Sequence, residues 1–108
     1  MLYVLASFNL KLENFESLEA AERHYLEYHV PLARRLPGLR QYLIGCPIDF
    51  GAASAERTRA ALLSFDDRDA LVSAYRTETG KQLLADEKHT VSDAQIVYMD
   101  GEEVAPPS

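Results

Sequence analysis

The sequence predicts a single α+β domain with its elements in the order β-α-β-β-α-β. Four stretches carry apolar residues on strand alternations, beginning at Met1, Leu39, Arg57 and Ala94. One long stretch, Leu18 to Leu36, repeats its apolar residues at helical spacing. A second helical stretch, about 68–89, separates the third strand from the fourth. A length of 108 residues fits one core. The domain is expected over 1–104, with a short tail at 105–108.

Met1–Leu10 is apolar on both alternations: Leu2, Val4, Ala6, Phe8 and Leu10 form one set, and Tyr3, Leu5, Ser7 and Asn9 the other. That pattern suits a strand covered on both faces at its start. Lys11–Glu16 is a polar connection, and Ser17 is placed to cap the first helix, with Glu19 and Glu22 near its positive end. The helix is expected over Leu18–Leu36, with Leu18, Ala21, Tyr25, His29, Leu32 and Leu36 on one stripe. Tyr28 lies on the edge of that stripe. Pro31 has no N–H to donate, so a kink or local break is expected just before it. Pro37-Gly38 then stops the helix, and Gly38 is expected at positive φ.

Leu39–Ile48 is read as the second strand, Pro47–Glu56 as a turn-like tip rich in small residues, and Arg57–Phe65 as the third strand. Asp66 or Asp67 caps a helix over Arg68–Arg76 that buries Ala70, Leu71, Ala74 and Tyr75. Thr77 caps a further piece, Glu78–His89, with Leu83 and Leu84 inward. Ala94–Glu103 is the last strand, with Ile96 and Tyr98 on one alternation and Val97 and Met99 on the other.

This order is the split βαβ, or ferredoxin-like, unit: a four-stranded antiparallel sheet with both helices on one face. Tyr3, Leu5, Tyr42, Leu62 and Met99, or their neighbours, then leave apolar side chains on a face without helices. A homodimer through the sheet face is the expected remedy. A cleft between the sheet and the long helix is the expected ligand site.

Composition narrows the function. The net charge is −6, from 11 basic and 17 acidic residues, with no basic stripe to follow phosphates, so nucleic acid is not expected as a partner. No apolar run approaches a membrane span, and Met1–Asn14 lacks the charged start of a signal peptide. Cys46 is the lone cysteine, which suits a reducing compartment; a cytoplasmic protein is expected.

The stretch HYLEYHVPLARRLPGLRQY, His24 to Tyr42, concentrates the groups able to do chemistry. His29 is the candidate catalytic residue. It sits on the inward stripe beside the expected kink, and a partly buried imidazole is a neutral base near pH 7. The competing reading is a core histidine bonded to a backbone carbonyl. Tyr3, Asn9, Tyr28 and Tyr42 are the candidate substrate-binding residues: the phenols offer donors and flat apolar faces, and Asn9 a side chain to orient a carbonyl. Each also fits ordinary packing or, for Asn9, the end of a strand. Arg34, Arg35 and Arg40 fit a solvated, salt-bridging surface better than an anion site. His24 and His89 are expected at the surface, and Cys46 as a small buried strand residue. On an α-helix His24 and His29 point about 140° apart, and no third ligand is suitably spaced, so no metal is expected. Nor does the sequence hold a GxGxxG or phosphate loop, so no cofactor is expected.

The same stretch resembles the EthD family of dimeric α/β-barrel proteins. There a His-x-Pro-Leu helix leads through a Pro-Gly-Leu turn into a strand that starts near a tyrosine. The matching residues are His29, Pro31, Leu32, Leu36, Pro37, Gly38, Leu39 and Tyr42, and LLSFDD, ETGKQLLAD and GEEV extend the likeness downstream. HTVSDA departs from the aromatic and glycines that family members carry before the last strand. The resemblance implies a dimeric barrel with a ligand cleft. Related barrels include cofactor-free monooxygenases, muconolactone isomerases and polyketide cyclases. Three functions follow as alternatives: a small cofactor-independent enzyme acting on a hydrophobic or aromatic molecule, a non-catalytic binding module, or an accessory protein to an oxidative degradation system.

Overall fold

The alternation of the first stretch places β1 (Leu2–Leu10) inside a four-stranded sheet of order β2-β3-β1-β4, as seen in the computed structural model, which describes residues 1–106. The other strands are β2 (Gln41–Gly45), β3 (Arg59–Phe65) and β4 (Val91–Asp100), each antiparallel to its neighbours. Register fixes which side chains share a face. Val4 stands opposite Leu63 and Tyr98, and Leu63 in turn opposite Tyr42, so these four point toward the helices. Leu5 stands opposite Leu62 and Val97 on the outer face. Among the described residues, the outer face carries no helix and leaves Leu5, Leu43, Val97 and Met99 exposed. No described helix is long and apolar enough to cross a membrane.

The long helix starts where Ser17 Oγ accepts from the Ala20 amide. It has three segments: α1 (Leu18–His24), a π-turn over Tyr25–His29, and α2 (Val30–Arg34). The irregularity expected before Pro31 is this π-turn, in which the Val30 amide reaches back five residues to the Tyr25 carbonyl. Gly38, within the connection from α2 to β2, takes φ +78. Asp67, not Asp66, caps α3 (Arg68–Tyr75), and Thr77 caps α4 (Glu78–Thr90). Asp66 instead holds Arg40 in a two-pronged ion pair.

Several expectations are corrected. β2 and β3 are shorter than Leu39–Ile48 and Arg57–Phe65, because the chain leaves the ladder before Pro47. Cys46 lies just past β2 and is exposed, not buried. β4 begins at Val91, since α4 passes into it with no intervening loop. Its early register shifts near Asn9, and Asp93 takes φ 54, a conformation aspartate tolerates. Leu83 is buried, but Leu84 is half out at the edge of the helix layer. The part of the expected 105–108 tail that is described, Ala105 and Pro106, has no regular structure; Pro107 and Ser108 lie outside the described residues.

The core forms two clusters. One joins Val4, Leu63 and Phe65 to Leu32, Leu36, Ala74 and Leu83; the other joins Phe8 and Leu10 to Ala21 and Tyr25. Members of both clusters line a cavity of about 760 Å³ between the sheet and the helices.

Candidate functional site

The cavity walls are mostly apolar: Val4, Ala6, Phe8, Ala61, Leu63 and Ile96 from the sheet, and Ala33, Leu71, Leu83 and Leu84 from the helices. His29, Tyr42, Tyr75 and Glu87 supply most of the polar groups, with Arg76 and Lys88 also on the lining and exposed. Apolar walls with a few convergent polar groups are the usual make-up of a small-molecule site.

His29 is 7% exposed and lines this cavity. Its Nδ1 lies 2.7 Å from Asp86 Oδ2, and the stacked Tyr25 ring, 5.4 Å away at 23°, fixes the imidazole plane. The second Asp86 oxygen, Oδ1, lies 2.6 Å from Nε2 of His24. Burial alone would raise the Asp86 carboxyl, but the two imidazole hydrogen bonds outweigh it and hold Asp86 below the usual carboxylate range. An ionised Asp86 only accepts, so each facing nitrogen carries the proton: Nδ1–H on His29 and Nε2–H on His24. Desolvation is the largest influence on His29 and lowers it below its ordinary value, against the pull of Asp86. The imidazole is therefore neutral near pH 7, with Nδ1 occupied. No described residue bonds Nε2, the nitrogen left to accept a proton.

Glu87, next to Asp86 on α4, faces the cavity instead of the long helix. Burial, reinforced by the negative charge of Asp86, pushes its carboxyl up to about 7. Burial likewise raises the Tyr42 phenol to about 12 and lifts Tyr25 and Tyr75 well above the usual phenol range. The cavity thus presents a neutral base, a carboxyl that is half protonated near neutrality, and neutral phenols.

Of the residues named from sequence, His29 and Tyr42 meet at the cavity. Tyr28 is 49% exposed and stacks on His24 at 5.1 Å. Tyr3 stands on the outer-face alternation of β1, opposite Met99. Asn9 ties the end of β1 to its neighbours: Oδ1 accepts from the Thr58 amide and hydroxyl, and Nδ2 donates to Asp93. His24 is not the free surface residue expected. Its side chain is 27% exposed and set among Phe15, Tyr28 and His89. The expectation that His24 and His29 diverge by about 140° assumed α-helical pitch. The π-turn between them takes in an extra residue, and both imidazoles reach one carboxylate. Among the described residues, no three or more His, Cys, Asp or Glu groups are arranged to hold a metal ion.

Asp86, Glu87 and Tyr75 were not visible as site residues in the sequence. LADEKH reads as the polar end of a helix, and its partners lie 57 and 62 residues away. The only local signal is that Asp86 falls three residues after the inward Leu83, on the buried side of α4.

No protein-family model matches the sequence, and no curated protein matches it. Solved structures do. An EthD family protein from Bacillus halodurans superposes with a TM-score of 0.76 at 25% identity, covering 96% of this chain and 99% of that one. A dimeric ferredoxin-like protein from Jannaschia sp. CCS1 gives a TM-score of 0.68 at 22% identity, over 93% and 98% of the two chains. SnoaB, a cofactor-independent oxygenase from Streptomyces nogalater, gives 0.66 at 12% identity, over 98% and 97%. The chain has an EthD-like, ferredoxin-like fold.

Proposed function

We propose that this chain is a small enzyme, working without metal or nucleotide, in which His29 takes a proton from a hydrophobic, aromatic or enolisable molecule held between the long helix and the sheet. The observation that carries this reading is the His29–Asp86 pair, with Nε2 left unbonded on a residue that lines the cavity. A carboxylate behind an imidazole fixes its tautomer and stabilises the imidazolium formed when a proton arrives. Tyr42 and Glu87 line the same cavity and are the groups to hold or protonate an oxygen of the ligand. Removing a proton next to a carbonyl gives an enolate. That species is an intermediate for isomerisation and ring closure, and it is also the electron-rich form a cofactor-independent oxygenation would start from. A purely apolar cavity would favour a carrier instead; His29 and Glu87 argue against that alternative.

The proposal includes a homodimer through the outer sheet face, where Leu5, Leu43, Val97 and Met99 are uncovered. The dimeric ferredoxin-like protein of the same fold supports it. A free Cys46 is consistent with a cytoplasmic location.

The test uses 2-tetralone, a neutral enolisable aromatic ketone, in D2O with proton NMR following loss of the α-hydrogens. The wild-type protein is expected to speed exchange on the order of 10²-fold or more over buffer, and His29→Ala to abolish the gain. Equal exchange with wild type and His29→Ala would remove His29 as the base.

A further inference from the structure

Asp86 is buried, with 5% of its side chain exposed, and each of its oxygens has one imidazole partner. A carboxylate this enclosed stays ionised because both oxygens are bonded. If the donor on Oδ1 is removed, the ion loses half its compensation, and the carboxyl takes up a proton more readily. Uptake of one proton from solvent then gives a neutral pair: Asp86 protonated on Oδ2 donates to His29 Nδ1, and the proton formerly on Nδ1 is carried on Nε2. In that tautomer the unbonded nitrogen of His29 already holds a hydrogen and cannot accept another.

We infer that His24 is a positioning residue for His29. By donating to Oδ1 of Asp86, it keeps the shared carboxylate ionised and so keeps His29 as the Nδ1–H tautomer with an open Nε2. His24 touches neither His29's free nitrogen nor a ligand; it acts through Asp86 alone. The π-turn makes this possible, because it brings residues five apart onto one carboxylate. The surroundings suit the role. Phe15 lies 5.2 Å from the His24 ring, Tyr28 stacks on it at 5.1 Å and His89 meets it at 5.6 Å, so the ring is held on several sides. The titratable groups that face the His24 ring are Asp86 and His89 from α4 and Tyr28 from its own helix. Asp86 is the only one of these that it bonds. The inference rests on the reading of His29 as the cavity base and assigns a second histidine to that function.

The tautomer of His29 can be read directly from imidazole ¹⁵N spectra of labelled protein without any ligand. In the wild type, Nδ1 is expected to be protonated and Nε2 not. His24→Phe keeps a ring in the aromatic setting but removes the donor. It is expected to shift the tautomer ratio of His29 toward Nε2–H by about tenfold or more on the acid side of neutrality. His24→Gln puts an amide N–H back near Oδ1 and is expected to restore the wild-type pattern. Three results would overturn the inference: a wild-type His29 protonated on Nε2, an unchanged tautomer in His24→Phe, or a Gln variant shifted as far as the Phe variant. If the Phe variant does not fold, His24→Leu takes its place in the same comparison, and a wild-type His29 protonated on Nε2 overturns the inference in either case. None of these spectra depends on turnover. A His29→Ala protein that still exchanges tetralone protons at the wild-type rate would therefore sink the proposed function and leave the positioning result standing.

Discussion

His24 and His29 sit five residues apart on one helix, yet their imidazoles meet on a single carboxylate, 2.6 and 2.7 Å from the two oxygens of Asp86. Regular α-helical pitch forbids this; the π-turn over Tyr25–His29 permits it. Pro31 follows two residues later and lacks the amide that would otherwise bond back into this turn, which favours the irregular register.

Acid stability should report this network. Asp86 is lowered from 3.8, so its contribution is present above that value and is lost as pH falls through its folded pKa. His29 is lowered from 6.5, so the unfolded chain takes up its proton first, and stability declines as pH falls below 6.5. Both effects have the same sign. Asp86→Asn should cost about 1.5–3 kcal/mol at pH 7, the range for hydrogen bonds to a charged group, and remove the loss that Asp86 itself contributes below 3.8, while the decline due to His29 persists because Asp86 had pulled that pKa upward. Urea melts across pH 2–8 check this; a variant that loses as much stability as the wild type below 3.8 would mean that the Asp86 carboxylate is not the source.

Glu87 acts with the opposite sign. Its carboxyl is raised from 4.5 to about 7, so its favourable contribution is complete below 4.5 and is lost as pH rises through about 7. Glu87→Gln keeps the shape and cannot ionise. Relative to wild type it should gain stability progressively from pH 5 to 8 and show no pH-dependent gain below 4.5. A stability difference that does not vary with pH in thermal melts would place the Glu87 carboxyl in water, outside the cavity.

How much of this was legible follows from the range of each signal. The strands, the long helix, the Ser17 and Thr77 caps and the turn at Gly38 are set by residues a few positions apart, and a period or a cap reads them. His29 stood out because its inward stripe and its neighbour Pro31 are local features. Asp86 did not, since its meaning depends on a helix 57 residues earlier, and neither did the change of pitch that redirects His24. Tyr3 and Tyr42 illustrate the same boundary. Both sit on strands among apolar neighbours, and only the pairing register shows that Tyr42 faces the helices and Tyr3 the outer side.

Gly80 should tolerate no side chain. A Cβ added there would lie 2.4 Å from the Tyr75 Cα and 2.5 Å from the Ala74 carbonyl oxygen. Both are backbone atoms, so no rotamer change relieves the clash, and α4 must move away from the end of α3. Gly80→Ala should therefore destabilise by about 1–3 kcal/mol despite its better helix propensity. A denaturation midpoint equal to the wild type would show that the α3–α4 corner is more compliant than its geometry indicates.

The outer sheet face supplies the last prediction. Leu43 is 61% exposed at the edge strand β2 and stands opposite Leu62, which itself stands opposite Leu5. Val97, 58% exposed, extends the row across β1 to β4. An apolar row spanning all four strands is costly to leave in water at about 25 cal/mol per Å². A charge at its edge would oppose burial against a second copy while leaving the helix-side core untouched, because Leu43 points away from it. Light scattering should give twice the 12.1 kDa chain mass for the wild type at micromolar concentration and the single-chain mass for Leu43→Glu. Circular dichroism of the variant should remain that of the folded chain. A wild-type protein that stays at one chain mass across a dilution series would end the dimer proposal and leave that row to be explained by some other partner.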